Sequence, residues 1–385
     1  MTQFVPGLIL SEIYYWEAVR PIMLEYFPKQ EHSAALIGWG SDVLGYDSEV
    51  SQDHLWGPRL VLFLAEKDFS RKSKYVHRAL REKLPPVIRG YSTHFGKPDD
   101  ADGGTRKRET KTEGPIDHLI EITSITKYWH RELQTNPLKT FSILNWLTFQ
   151  EQRLLTLTAG KVFHDGLGLE DIRQQFAYYP EQIWYYLLAS QWALIAQEEA
   201  FVGRASQIED PLGSQLIIAR LVERMMHLCF LMEKKYAPYS KWLGTAFKSL
   251  KCYKKMNPLF EKILKTNNFI EKDKWLSEAF TKLAQMHNNL NITPKLAVNT
   301  KTYSAWHALR EGIDELPLND PRNTRPFQVI FAGRFTEAIM KQVTDRDLLN
   351  IQAPYGSVSQ FLVESSDAMQ SVSFCKSLRQ NIKSY

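Results

Sequence analysis

The stretch that decides the fold reads Ala34-Ala35-Leu36-Ile37-Gly38-Trp39-Gly40-Ser41-Asp42-Val43-Leu44-Gly45. After a turn-rich interval it resumes as Ser51-Gln52-Asp53-His54-Leu55-Trp56-Gly57-Pro58-Arg59 and runs into Leu60-Val61-Leu62-Phe63-Leu64. Residues 34–38 and 60–64 are short apolar runs with the length and composition of buried strands. The first ends in a Gly-Ser turn, and an acid stands at the start of the second. Gly40 lets the backbone approach a ligand closely, and Ser41 offers a hydroxyl and an amide to phosphate oxygens. A carboxylate on the neighbouring strand, Asp53, can then hold Mg²⁺ against the same oxygens. The segment has neither the Gly-Lys-Ser/Thr of a Walker A loop nor the glycine spacing of a dinucleotide fingerprint.

Working outward, Leu8–Tyr26 reads as an amphipathic helix with Ile9, Ile13, Trp16 and Val19 on one stripe. Ser70–Lys83 is a basic helical pattern, Lys97–Gly114 a long mobile surface loop, and Leu119–Ile125 a further strand. Beyond about residue 130 helical periodicity takes over, at 149–160, 181–202, 211–234, 240–251, 255–265 and 272–290. Val162–Gly168 reads as a returning strand or hairpin, and Arg325–Arg334 as a strand entering a helix. A strand-rich first third followed by a run of helices predicts an α+β chain with two unlike domains, 1–145 and 146–385.

The totals narrow the function. In 385 residues, 44% are hydrophobic and 24% charged, which supports packed cores rather than disorder. A net charge of +5 is too mild to argue for nucleic acid, and the dense basic cluster, Arg106-Lys107-Arg108, falls in the loop. Nucleic acid is therefore the least favoured partner. Cys229, Cys252 and Cys375 are far apart and read as free thiols in a reducing compartment. Met1–Leu10 has no secretory pattern. The apolar stretch Ile183–Phe201 is broken by Ser190, Gln191, Gln197, Glu198 and Glu199, too polar to cross a bilayer. The expectation is a cytoplasmic protein with no membrane partner.

Gly40-Ser41 followed by Asp53 resembles the Gly-Ser plus Asp-x-Asp signature of the polymerase-β-like nucleotidyltransferase superfamily. More narrowly, Asp53–Arg59, Gly160–Gly166, Gln191-Trp192, Ala200–Arg204, Tyr236–Gly244 and Arg325–Phe327 resemble an uncharacterised bacterial family. That family is known only as a domain of unknown function with a nucleotidyltransferase-like N-terminal region. The resemblance implies an N-terminal nucleotidyltransferase-like mixed sheet with helices, followed by a mainly α-helical C-terminal domain. It also implies transfer of a nucleotidyl group from an NTP–Mg²⁺ complex, ATP or another NTP, to a hydroxyl of a small-molecule or protein acceptor. Gly40, Ser41 and Arg59 would then belong to the nucleotide site. Asp53 would be the first metal ligand and Glu121 the later acid, both catalytic.

The sequence departs from that signature at residue 55, where the second acid is replaced by Leu55. On a strand, residues 53 and 55 share a face, so the two-carboxylate face would be incomplete. Asp47 and Glu49 on the preceding loop are possible substitutes. Four outcomes stay open: a one-metal enzyme, an enzyme with relocated ligands, a non-catalytic nucleotide-binding or regulatory protein, and an interaction module.

The helical half adds candidates. Glu198 or Glu199 resembles the acid that deprotonates an acceptor hydroxyl in aminoglycoside-modifying relatives, against the commoner fate of pairing with Arg204 or Arg220. Arg220, Arg224 and His227 share one helix stripe, and such a stripe must meet an anion, either a protein acid or the triphosphate. His164 and His287 read as structural hydrogen-bonders, and Trp184, Tyr185, Trp192 and Trp242 as core.

Overall fold

In the computed structural model the described residues are 4–53, 55–102, 104–304, 325–351, 354 and 356–361. They divide into two compact units. Residues up to 141 together with 149–177 form the first, and 142–148 together with 178–361 the second. Cys375 and His54 lie outside the described residues.

The first unit is built on a four-stranded mixed sheet. Its strands are β1 (His32–Leu36), β2 (Arg59–Leu64), β5 (Leu119–Thr123) and β6 (Lys161–Asp165), in the order β5-β2-β1-β6. β1 pairs antiparallel with both β2 and β6, while β2 pairs parallel with β5. The parallel pair requires a crossover, which α4 (Glu66–Lys83) supplies. Two two-residue strands, β3 (Val87–Ile88) and β4 (Tyr91–Ser92), form a separate hairpin.

Period-two alternation sorts the sheet into two faces. Ala34, Leu36, Leu60, Leu62, Leu64, Ile120 and Phe163 join the main core with Leu10, Tyr14 and Val19 of the N-terminal helix and Val76 and Leu80 of α4. That N-terminal helix is α1 (Gly7–Tyr14), a π turn (Tyr15–Val19) and α2 (Arg20–Tyr26). Pro21 explains the π turn: it cannot donate to the carbonyl of Glu17, and widening the turn ahead of it relieves its ring. The other sheet face carries Arg59, Val61, Phe63 and Glu121 and is covered by α5 (Ile125–Leu133), whose Tyr128 meets Phe63 edge-on at 5.4 Å.

β6 belongs to this sheet although it follows α6 (Ile143–Thr148) and α7 (Glu151–Thr158) in the chain. The expected boundary at 145/146 falls inside α6, and the first unit resumes at Phe149. The hairpin-or-strand reading of 162–168 is thereby resolved as a strand, followed by α8 (Leu169–Gln174).

The long loop is a loop as expected, and its arginines tie it to the unit. Arg106 donates to the carbonyls of Gly96 (2.7 Å) and Phe95 (2.8 Å). Arg108 lies over Trp56 and Tyr91 and donates to Gln52 (2.7 Å). The basic cluster thus pins the loop to the unit instead of facing a polyanion.

The second unit is helical: α9 (Glu181–Glu198), α10 (Phe201–Gln207), α11 (Pro211–Met232), α12 (Ser240–Phe247), α13 (Tyr253–Lys265) and α14 (Phe269–Asn289). The short pair β7 (Lys301–Thr302) and β8 (Gln328–Val329) leads into α15 (Gly333–Met340). α9 packs on α11 and α15, with Trp192 stacked on Phe335 at 4.2 Å, and α13 packs on α14. No helix among the described residues is long and apolar enough to cross a membrane.

One buried group makes the first unit acid-sensitive. His118 is 5% exposed, and its Nδ1 accepts from the Ile120 amide at 3.1 Å. Burial first, then the charges of His77, Arg106 and Arg81, push its pKa down from 6.5 to about 4. The unfolded chain therefore binds a proton that the folded one refuses, so this contribution is whole above pH 6.5 and is lost as pH falls toward 4. The loss is on the order of 3 kcal/mol at most. Urea titrations of the wild type at pH 7.5 and 4.5 are expected to show this fall, and His118→Gln to show a clearly smaller one.

Candidate functional site

The Gly-Ser turn leaves the end of β1 and is held in shape by charge. Gly40 caps the short helix α3 (Ser41–Leu44) with φ 137°. Asp42, in the first turn of α3, is 1% exposed and receives Arg59 from the first position of β2 through two bonds, Nε to Oδ2 at 3.0 Å and Nη2 to Oδ1 at 2.6 Å. The same Nη2 donates to the Trp39 carbonyl at 2.7 Å. Burial alone would lower the Arg59 pKa, but the Asp42 carboxylate more than offsets it and holds the guanidinium above its ordinary value. A Cβ at Gly40 would fall 2.2 Å from both Arg59 Nη2 and Asp42 Oδ1. Glycine is required there by the ion pair as well as by the positive φ.

Arg59 is therefore already paired within the protein. Ser41 is not: it is half-buried at the start of α3, and its hydroxyl has no hydrogen-bond partner among the described residues.

A second tie closes the loop between β1 and β2. Asp47 Oδ2 accepts from the Gly7 amide at 2.7 Å and from Trp56 Nε1 at 2.8 Å, which fixes the start of α1 and the buried Trp56 together. Asp47 is thus committed to the fold. Glu49 lies exposed on the 3₁₀ turn Glu49–Asp53.

The expectation that residues 53 and 55 share a strand face is corrected. Asp53 ends that 3₁₀ turn, and Leu55 sits at φ 47° with 43% of its surface exposed. β2 starts only at Arg59, because Gly57 (φ 144°) and Pro58 set the turn that feeds it. The Asp53 side chain lies outside the described residues.

Glu121 stands on β5 opposite Val61, on the face that carries Arg59. It is bound by Arg131 of α5 at 2.5 and 3.3 Å. Arg131 also pairs with Glu132 (2.8 Å), and the buried Glu132 pairs in turn with Arg153 of α7. Arg153 lies 4.8 Å over the ring of Trp39, back at the turn. The Tyr128 phenol is enclosed by this chain of charges. Burial, with Glu132 and Glu121 adding to it, raises its pKa far above the ordinary tyrosine value. A Cβ at Gly38 would meet Tyr128 Oη at 2.4 Å, so that glycine is required by the phenol.

Asp42, Tyr128, Arg131, Glu132 and Arg153 are site residues that the sequence pattern did not reveal. Among the described residues no three His, Cys, Asp or Glu side chains gather as a metal site.

In the second unit Glu198 is held by ion pairs and Glu199 by backbone amides. Glu198 accepts from Arg220 on Oε1 at 2.9 Å, and its Oε2 stands in ion-pair contact with Arg224 at 2.8 Å without a hydrogen bond between them. Arg224 also donates to the Leu194 carbonyl. The anion that meets the arginine stripe is therefore a protein carboxylate. Glu199, one residue on, is buried and accepts from the amides of Ile330, Phe331 and Ala332 at 2.8–3.1 Å. Burial raises its pKa to about 7 against the opposing pull of those amides.

These units define an α+β protein whose sheet presents a Gly-Ser turn beside an arginine–carboxylate network. The family model for a domain of unknown function (DUF4037) matches residues 146–243, about a quarter of the chain. A solved structure described as a nucleotidyltransferase-like protein from Exiguobacterium sibiricum 255-15 is 12% identical. The likeness covers 72% of this chain and 78% of that one, at a TM-score of 0.31. A likeness that loose bears on neither activity nor ligand. No curated protein matches the chain.

Two ion pairs of unequal burial give a contrast. Asp42→Asn leaves Arg59, which is 16% exposed, without its charge partner and is expected to cost about 3 kcal/mol. Glu121→Gln opens a pair whose side chains are 37% and 53% exposed and should cost less than about 1 kcal/mol. Denaturant unfolding of both variants measures the difference.

Proposed function

We propose that this chain is a nucleotidyltransferase-like protein that binds a nucleoside triphosphate at the Gly38–Ser41 turn, with two-metal transfer chemistry absent. The observation that carries the reading is the unpartnered Ser41 hydroxyl, on a turn already shaped by Asp42 and Arg59. Trp39 supports it. The indole is 40% exposed between two glycines, and its accessible surface suits the stacking of a nucleobase.

The carboxylates do not fit a two-metal clamp. Asp42 is held by Arg59, Asp47 by Gly7 and Trp56, and residue 55 is leucine. Mg²⁺ would fall to Asp53 and Glu121, with the exposed Glu49 the remaining acid on the same loop as Asp53. Losing a ligand from a site that works by clamping attacking and leaving oxygens removes most of its advantage.

A second reading is nucleotidyl transfer from an NTP–Mg²⁺ complex to a hydroxyl of a small-molecule or protein acceptor. One observation favours it: the Glu121–Arg131 pair faces solvent, so opening it to free the carboxylate costs little. Glu198 contributes to neither reading while two arginines hold it.

Calorimetric titration of ATP with and without Mg²⁺ separates the two, alongside transfer assays with labelled ATP. The expected outcome is binding that persists without Mg²⁺ and in Asp53→Ala, weakens about tenfold in Ser41→Ala, and transfers no label. Label transfer that requires Mg²⁺ and disappears in Asp53→Ala would establish the second reading. Failure of ATP to bind under either condition would end both.

A further inference from the structure

In the second unit one buried charge has no carboxylate partner among the described residues. Lys272 lies in the first turn of α14, where the helix dipole disfavours a cation. It is 5% exposed, unusual for lysine, which is almost never fully buried unless paired. Its Nζ donates to Gln215 Oε1 at 3.1 Å, a neutral acceptor. No carboxylate of the described residues stands within ion-pair distance of it. Gln215 is oriented by its own bond to the Leu264 carbonyl at 3.3 Å. The ammonium therefore keeps donor capacity to spare, and burial lowers its pKa. A buried charge in this state is costly to the fold, and a protein that retains one commonly uses it.

Lys272 also lines a cavity of about 580 Å³, within the size range of small-molecule sites. The buried Ser214 and the half-buried Phe269 line it as well, while the exposed Glu209, Asp210 and Leu212 stand where it opens. Asp210 spends Oδ1 on the Gly213 amide at the start of α11, at 2.8 Å. The cavity is thus positive within, negative at its rim, and apolar at Phe269 and Leu212. A phosphate or dicarboxylate suits the interior but is repelled at the rim. A molecule carrying one carboxylate and one ammonium suits both.

We infer that this cavity is a binding site for an α-amino acid, its carboxylate on Lys272, its ammonium toward Glu209 and Asp210, and its side chain against Phe269 and Leu212. The inference is independent of the nucleotide reading.

The test is calorimetry and thermal shift of the full chain with the twenty amino acids, their methyl esters, their N-acetyl derivatives and inorganic phosphate. At least one free amino acid is expected to bind saturably, with its ester and N-acetyl form much weaker. Lys272→Met should weaken that binding by more than about thirtyfold. The same variant should raise the melting temperature of the unliganded protein, since it removes an uncompensated buried charge; a merely structural lysine would lower it. Glu209→Gln, which keeps the shape of an exposed side chain with no hydrogen bond or ion pair among the described residues, should weaken the amino acid without changing the melt. The inference is overturned if no amino acid binds, if phosphate binds better, or if binding survives both substitutions.

Discussion

The buried pair between Asp42 and Arg59 governs the first unit. It ties the helix start after β1 to the first residue of β2, and its second donor satisfies the Trp39 carbonyl on the turn. Once those charges are buried together, the residue at position 40 can carry no side chain, and the turn has one shape. Asp47 repeats the device at shorter range by holding Trp56 and the first amide of α1. The Gly-Ser turn is thus organised by the protein's own contacts, which would lower the ordering cost of the nucleotide binding proposed above. The same economy removes two acids from any role in holding a metal.

Much of this architecture was readable in the sequence because it is carried by periodicity. The apolar runs at 34–38 and 60–64 become β1 and β2, and the helical segments from 149 to 290 correspond to α7, α9 and α11–α14 within a few residues. What escaped depends on single dihedrals and on distant partners. Nothing in Asp53-His54-Leu55 announces that Leu55 turns to positive φ and that the strand waits until Arg59. The segment 97–114 reads as a long surface loop because its composition is polar. Its arginines find carbonyls and aromatic rings, which composition cannot foretell. Glu121 could be placed on a strand, but its capture by Arg131 required the next helix to be in position.

Two neighbouring acids in the second unit show how far one step along a helix can separate fates. A step of about 100° carries Glu198 toward two arginines and Glu199 into the interior, where three amides receive it. The interior carboxylate accepts three backbone amides. Lys272, equally buried in the same unit, has only a neutral amide, and that inequality marks its cavity as unfinished by the protein alone.

The position of β6 has a bearing on how the chain comes into being. β1 lies in the middle of the sheet and is buried along all five residues, yet one of its two neighbours arrives from beyond α7. Until the ribosome has released the chain past Asp165, the nascent sheet ends on a bare apolar strand with open amides and carbonyls. Synthesis therefore passes through an interval in which adhesion between neighbouring chains competes with completion of the sheet. A product cut short before that strand would carry the exposed edge permanently.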